Sequence, residues 1–341
     1  MRRTMPLLLY SLLCAALVFG ADTGLLNAYV QLVIMYVGIN IILSSSLNLI
    51  NGYMGEFSVG HAGFMAVGAY VTSILNVRLF TDSSLFGPGL LGGSSALYLF
   101  PVTLLVGGVS AALVGLLVAV PSFRTRGDYL AIITLAVNYI VKSSIENIQF
   151  IGGARGFMGM RNVVDAMTGV VNMPWVLIWI LVFAGLTVWV LQRLVTSTYG
   201  KGIIAIRDDE IASEIMSVDT RHMKLVAFML SSGMAGVAGG LFAHILGYIN
   251  PGTFTIMKST EILVMVYLGG MGSLSGSVLA AIGFTVILEV FRPLQMAKWV
   301  VIPLLLILLM LFRPEGIMGH RELTDVFPRL RRLLGSQERR P

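Results

Sequence analysis

Charged side chains are scarce in this chain. They make up 12% of 341 residues, and 56% of the chain is hydrophobic, whereas soluble domains carry about 25% charged residues. A water-facing surface cannot be built from so small a supply, and the composition is that of a polytopic membrane protein. Cysteine is nearly absent. Cys14 stands alone in the first apolar segment, which excludes an intramolecular disulfide and a cysteine-based metal site. No HExxH or other metal-ligand spacing occurs. There is no GxxxxGK[ST] phosphate loop, so the chain does not itself bind and hydrolyse ATP in the usual way, and no cofactor is expected. The net charge of +6 reports topology, because Lys and Arg collect on the cytoplasmic side. It does not point to nucleic acid.

What is present is a series of long apolar segments. A crossing helix needs roughly 20 apolar residues. The spans expected are Met5–Gly20, Leu25–Ile50, Phe57–Val77, Ala96–Val120, Tyr129–Asn147, Pro174–Leu194, Lys224–Ile249 and Met296–Phe312. The first, preceded by Arg2 and Arg3, has the pattern of a signal peptide and is read as an uncleaved anchor. The stretch Ser259–Phe291 is too long for one span and is interrupted by Gly269, Gly270, Gly272 and Gly276. The basic C-terminal tail belongs inside with Arg2 and Arg3. Two cytoplasmic termini require an even number of crossings, so this stretch must cross twice. The expected fold is therefore all-α with ten crossings. Arg124, Arg126 and the segment Thr196–Met223 lie inside, and the loops Arg78–Ser95, Gln149–Met173 and Asn250–Lys258 lie outside. Trp175 and Trp299 fall at span ends, where the aromatic belt belongs.

Two glycine-rich stretches interrupt this pattern. Aligned without gaps, Gly52, Met54, Gly55 and Ser58 fall on Gly269, Met271, Gly272 and Ser275, which suggests an internal repeat. Transporters break helices at corresponding points in two halves because unwound backbone can line a substrate path. Gly52, Gly55, Ser58, Gly269, Gly272 and Ser275 are therefore substrate-path candidates. Ser58 and Ser275 are expected to satisfy freed carbonyls. The alternative is a pair of tight connections at the membrane surface. Glu56 and His61 flank the first break and would be the candidates for proton coupling. Lys142 with Glu146, and Glu289 with Arg292, are spaced to pair near span ends.

Charge is dense only in "STYGKGIIAIRDDEIASEIMSVDTRHMKL". On a helix Ile204, Ile211, Ile215 and Val218 share one side, with Arg207, Glu210 and Glu214 beside it and Asp209 opposite. Asp208 intrudes on the apolar edge. A short cytoplasmic helix is expected, on lipid headgroups or docked on a partner, and its acidic group favours a protein.

This segment, with "NGYMGEFSVGHAGFMAVGAYV", "GGARGFMGM", "AGVAGGLFAHILGYINPGTF", "VYLGGMGSLSGSVLAAIGF" and the closing "FRPEGIMG", resembles the LivM-type permeases of branched-chain amino acid ABC importers from about Leu25 to Gly319. The resemblance implies a multi-pass subunit of a bacterial inner membrane. Residues 1–319 would form the permease domain and 320–341 a basic cytoplasmic tail. It implies separate cytoplasmic ATPase subunits, a second related permease and a periplasmic substrate-binding protein. Segment 196–223 would be the coupling segment, with Arg207, Asp208, Asp209, Glu210 and Glu214 facing the ATPase or positioning the helix. Ser217 departs from the family pattern, which has glycine there. Related permeases serve branched-chain amino acids, other amino acids, amides or urea. An ion-coupled secondary transporter and an intramembrane enzyme are the rival classes, and the enzyme lacks a nucleophile–base pair.

Overall fold

The computed structural model describes residues 5–82, 86–123 and 129–293, and beyond them residues 300, 304, 307, 311–312, 316–319 and 322. Arg2, Arg3, Arg124, Arg126, Trp299, most of Met296–Phe312 and the tail apart from Glu322 lie outside the described residues. Twelve helices are seen among the described ones. They are α1 (Met5–Asp22), α2 (Ala28–Asn48), α3 (His61–Phe80), α4 (Ala96–Ser122), α5 (Tyr129–Asn147), α6 (Met160–Val170), α7 (Trp175–Thr196), α8 (Thr198–Asp208), α9 (Glu210–Ile215), α10 (Thr220–Leu246), α11 (Ile256–Gly269) and α12 (Leu274–Val290). Two-residue strands β1 (Phe157–Met158) and β2 (Tyr248–Ile249) pair antiparallel. Six of the helices, α2, α3, α4, α5, α7 and α10, are long and apolar enough to cross a membrane, and α1 and α12 are shorter apolar helices. At 1.5 Å per residue α11 and α12 reach only about 21 and 26 Å. They are two short helices joined at the glycines of Ser259–Phe291 and packed on each other.

The core gathers on α10, which packs against α3, α4 and α2. With little hydrophobic drive between helices in lipid, small residues set how close helices approach. A Cβ on Gly68 would fall 2.1 Å from the Gly236 oxygen, and one on Gly239 would fall 1.9 Å from the Met65 oxygen. Any side chain would force α3 and α10 apart. Some polar groups inside this core pair across helices. His244 on α10 shares a hydrogen bond of 2.9 Å with Asn76 on α3, and its other ring nitrogen lies 2.7 Å from the Gly240 oxygen. The ring stands edge-on to Phe100 of α4 at 4.8 Å. His244 is thus a packed residue.

The three loops expected outside gather at one end. The β1–β2 pair ties Gln149–Met173 to the chain entering Asn250–Lys258, and α6 packs on the turn Gly93–Ser95. The segment Gln149–Met173, expected as an outer loop, contains the helix α6. Met160, Val163 and Met167 recur at helical spacing and are buried; the eleven-residue helix lies below the length that a search for spans detects. The segment Thr196–Met223 was expected to hold one helix and instead holds two, α8 and α9, broken at Asp209. That segment and both glycine stretches lie at the opposite end.

Candidate functional site

The two glycine stretches touch. After Asn48 the helix widens into a single π-turn, Leu49–Tyr53, and the chain then leaves helical geometry until His61 opens α3. Phe57–Gly60, expected to begin a span, is non-helical. In the second stretch α11 ends at Gly269 and α12 begins at Leu274. The Asn48 side chain joins the two. Its Oδ1 accepts from the Gly272 amide at 3.0 Å, and its Nδ2 donates to the Ser273 oxygen at 2.9 Å and to Ser277 Oγ at 2.7 Å. A Cβ on Gly52 would fall 2.3 Å from the Gly272 nitrogen, so the contact is closed to any larger residue. Gly55 and Gly272, aligned in the sequence comparison, both adopt φ +78°, the left-handed region that favours glycine.

Backbone freed by the first break needs partners away from water, and neighbouring helices supply them. The Asn51 side chain pairs with both backbone groups of Ser58, at 3.3 and 3.5 Å. Thr134 on α5 accepts from the Val59 amide at 3.2 Å, and Ser259 on α11 accepts from Ala62 at 3.0 Å. The expected roles of the serines differ. Ser58 Oγ is buried and makes no hydrogen bond among the described residues. Ser275 Oγ donates to the Glu322 carboxylate at 2.5 Å rather than to a carbonyl. His61 lies 2.8 Å from Ser46 Oγ, and Glu56 turns elsewhere.

Glu56 meets Lys224. This lysine, 8% exposed at the start of α10, places Nζ 2.7 Å from Glu56 and 2.7 Å from Glu210. Arg207 donates to the Gly52 oxygen at 3.2 Å and pairs with Asp208 at 3.0 Å. Asp209 breaks the helix and caps α9, its Oδ1 accepting from the Ala212 amide at 3.0 Å. Glu214 accepts from Thr220 at 3.0 Å, holding α9 to α10. Around these groups lies a cleft of about 480 Å³, lined by Met54–Phe57, Ile206–Glu210 and Lys224. The break at Asp209 also rearranges the expected apolar stripe. Ile203 and Ile206 are buried and Ile204 partly so, while Ile211 and Ile215 on α9 are 65% and 78% exposed. Ser217 just after α9 has φ +62°, the one non-glycine residue at positive φ among those described.

The segment after the last expected span closes the site. The Ile317 and Met318 amides donate to the oxygens of Leu268 and Gly269, at 2.9 and 3.1 Å, satisfying carbonyls at the end of α11. Glu322 accepts from the Leu274 and Ser275 amides at 2.9 and 3.1 Å, and from the Tyr53 hydroxyl at 3.0 Å. One carboxylate thereby holds the N-terminus of α12 and the end of the π-turn together.

A family described as branched-chain amino acid transport system / permease component matches residues 29–312. The chain belongs to this family. It is 32% identical over 309 residues to the high-affinity branched-chain amino acid transport system permease protein LivM of Escherichia coli (strain K12), covering 82% of this chain and 68% of that one. A probable LivM of Methanocaldococcus jannaschii is 22% identical over 336 residues, 86% of this chain and 94% of that one. The permease LivH of Salmonella typhimurium is 31% identical over 156 residues, 44% of this chain and 48% of that one. No solved structure matches this one. The chain is thus a permease subunit, and the motifs that carried the family resemblance now have physical work. In "GGARGFMGM" Gly152, Gly153, Gly156 and Gly159 all have positive φ and shape the turn around β1. "FRPEGIMG" supplies the amides that meet α11.

Sequence reasoning missed Asn48, Lys224 and Glu322. Lys224 was counted as the first residue of a span. A lysine one turn inside an apolar helix, with carboxylates at Glu56 and Glu210 in the neighbouring segments, was the available signal.

Proposed function

We propose that this permease is one of two related membrane subunits of an ATP-driven importer of branched-chain amino acids, and that α9 is the surface on which a cytoplasmic ATPase docks. The observation that carries this reading is the division of labour on α8 and α9. Arg207 and Glu210 are engaged with the glycine stretch and Lys224, Asp209 caps α9 and Glu214 holds it to α10. Ile211, Ile215 and Met216 are left 65–78% exposed. Apolar anchors surrounded by polar groups are the usual centre of an interface. A push on α9 would reach the first glycine stretch through Glu210–Lys224–Glu56 and Arg207–Gly52, and the second through the close contact of Gly52 with Gly272.

In this reading the chain makes ten crossings of a bacterial inner membrane, with both termini and the tail 320–341 in the cytoplasm. The matching φ of Gly55 and Gly272 supports an internal repeat, and Gly52, Ser58, Gly269 and Ser275 would flex with the gate. Likeness to both LivM and LivH supports a second related permease, and a periplasmic binding protein would deliver the substrate. The test is co-purification with the ATPase. The pair of changes Ile211→Ser and Ile215→Ser should abolish capture of the ATPase while membrane insertion is kept. Undiminished capture would make α9 a membrane-surface element.

A further inference from the structure

The basic residues around α8 and α9 fall into two groups. Arg207 and Lys224 are paired with carboxylates. Arg193, Lys201 and Arg221 are exposed, and no carboxylate pairs with them among the described residues. These three come from helices that meet at one corner. Arg193 is on the last turn of α7, Lys201 near the start of α8 and Arg221 on the first turn of α10. The glycines flanking Lys201 show how closely the turns pack. A Cβ on Gly200 would fall 2.1 Å from the Leu194 oxygen, and one on Gly202 would fall 2.6 Å from Met223 Sδ. The Tyr199 hydroxyl also donates to the His222 oxygen, at 3.4 Å. Asp219, the carboxylate nearest Arg221 in sequence, is held as the cap of α10, accepting from the His222 amide at 3.0 Å. Like charges on touching turns repel one another unless an anion joins them. Two of the three helix ends here are N-termini, whose partial positive charge adds to the attraction for that anion.

The surface of α7 selects the anion. This span has a mean hydropathy of 2.1 and is 44% buried over its most apolar stretch. Its exposed residues Val182, Leu186 and Trp189 are 48%, 44% and 41% exposed. They recur at helical spacing, and Arg193 comes next on the same ridge. An apolar ridge of this kind suits hydrocarbon, and a tryptophan at its end marks the headgroup level. The Arg193 guanidinium lies over the Trp189 ring, 5.7 Å from its centre. The corner thus stands where acyl chains give way to phosphates. Asp208, Asp209 and Glu210 lie at the far end of α8, so the segment is basic where it leaves the span and acidic beyond.

We propose that Arg193, Lys201 and Arg221 form a site for the phosphate headgroup of an anionic phospholipid. The bound lipid ties the root of α8 to the membrane while α9 stays free to move. This site goes beyond the importer reading and does not depend on the transported substrate. The test is native mass spectrometry of the purified full chain, titrated with phosphatidylglycerol or phosphatidylcholine of equal chain length. The parent should retain phosphatidylglycerol in preference. A basic residue at an anionic surface strengthens binding about 5-fold. Lys201→Gln should therefore weaken retention by about that factor, and Arg193→Gln, Lys201→Gln and Arg221→Gln together by about 100-fold. Lys201→Arg keeps the charge and should bind as the parent does. Arg155→Gln with Arg161→Gln, which removes exposed cations at the opposite end, should change nothing. Equal retention by the parent and the triple variant would mean that the three cations only snorkel to bulk headgroups, and the proposal is overturned. An equal loss in Lys201→Arg or in the opposite-end variant would overturn it too, because retention would not follow charge at this corner. Displacement of the lipid by millimolar inorganic phosphate would make the corner a free-anion site and end the lipid assignment.

Discussion

Lys224 and Glu56 stand 2.7 Å apart, joining α10 to the first glycine stretch through a lysine that is 8% exposed. Glu210, the other partner of Lys224, is 48% exposed. Water screens the second contact far more than the first. A double-mutant cycle over Lys224→Met and Glu56→Gln should give a coupling of about 1–3 kcal/mol. The cycle with Glu210→Gln should give less than about 1 kcal/mol, as for exposed pairs. Thermal unfolding of the purified complex reads both, and equal couplings would deny Glu56 its role as the main partner.

Close backbone contact at the breaks predicts a strict size limit. Gly52→Ala pushes a methyl group into the Gly272 amide and should cost about 1–3 kcal/mol, as overpacking does. Gly55→Ala meets both the left-handed backbone and Arg207 Cγ, 2.6 Å from its Cβ, and should slow transport as well. Gly92→Ala, with nothing nearer than 3.8 Å, should be silent. The comparison of unfolding temperature and uptake across the three variants checks this.

Ser217 holds a left-handed backbone that costs a side-chain-bearing residue about 1–2 kcal/mol. Ser217→Gly should therefore raise stability, by up to about 1 kcal/mol once the added freedom of glycine in the unfolded chain is set against it. A drop in unfolding temperature would mean that the serine supplies a compensating contact.

Glu322 should behave as a capping charge. Glu322→Ala is expected to cost about 1–2 kcal/mol, with Glu322→Gln intermediate because it keeps an acceptor but no charge. Protease cleavage near Gly270–Gly272 should speed up in the same order. Equal cleavage in all three proteins would deny the carboxylate a role in holding the two breaks together.

Residue pattern alone carried much of this architecture and little of its wiring. Helix periods and apolar length located α2 to α5, α7, α10 and the short pair α11 and α12, because burial in lipid demands long apolar runs. The pairings Lys142–Glu146 and Glu289–Arg292 were legible because helix geometry fixes neighbours four or three residues apart, and the structure has them at 3.5 and 2.9 Å. Glycine spacing located both breaks for a similar reason, since a left-handed turn favours glycine. What the pattern could not give was contact across the fold. Asn48 reaches Gly272 over 224 residues, and Glu322 reaches Tyr53 over 269. No local period encodes such pairs. The break at Asp209 was missed because a capping aspartate and a helix-interior aspartate look alike within a charged run.

The proposed drive of this permease from α9, by ATP hydrolysed on another subunit, predicts a strict dependence of uptake on that subunit. The direct measurement is uptake of radiolabelled leucine into liposomes carrying the complex, with ATP supplied or withheld at the ATPase. Uptake should require ATP and should stop when the ATPase is removed. Leucine accumulation that continued without the ATPase under a proton gradient would contradict the account and make the chain a secondary transporter.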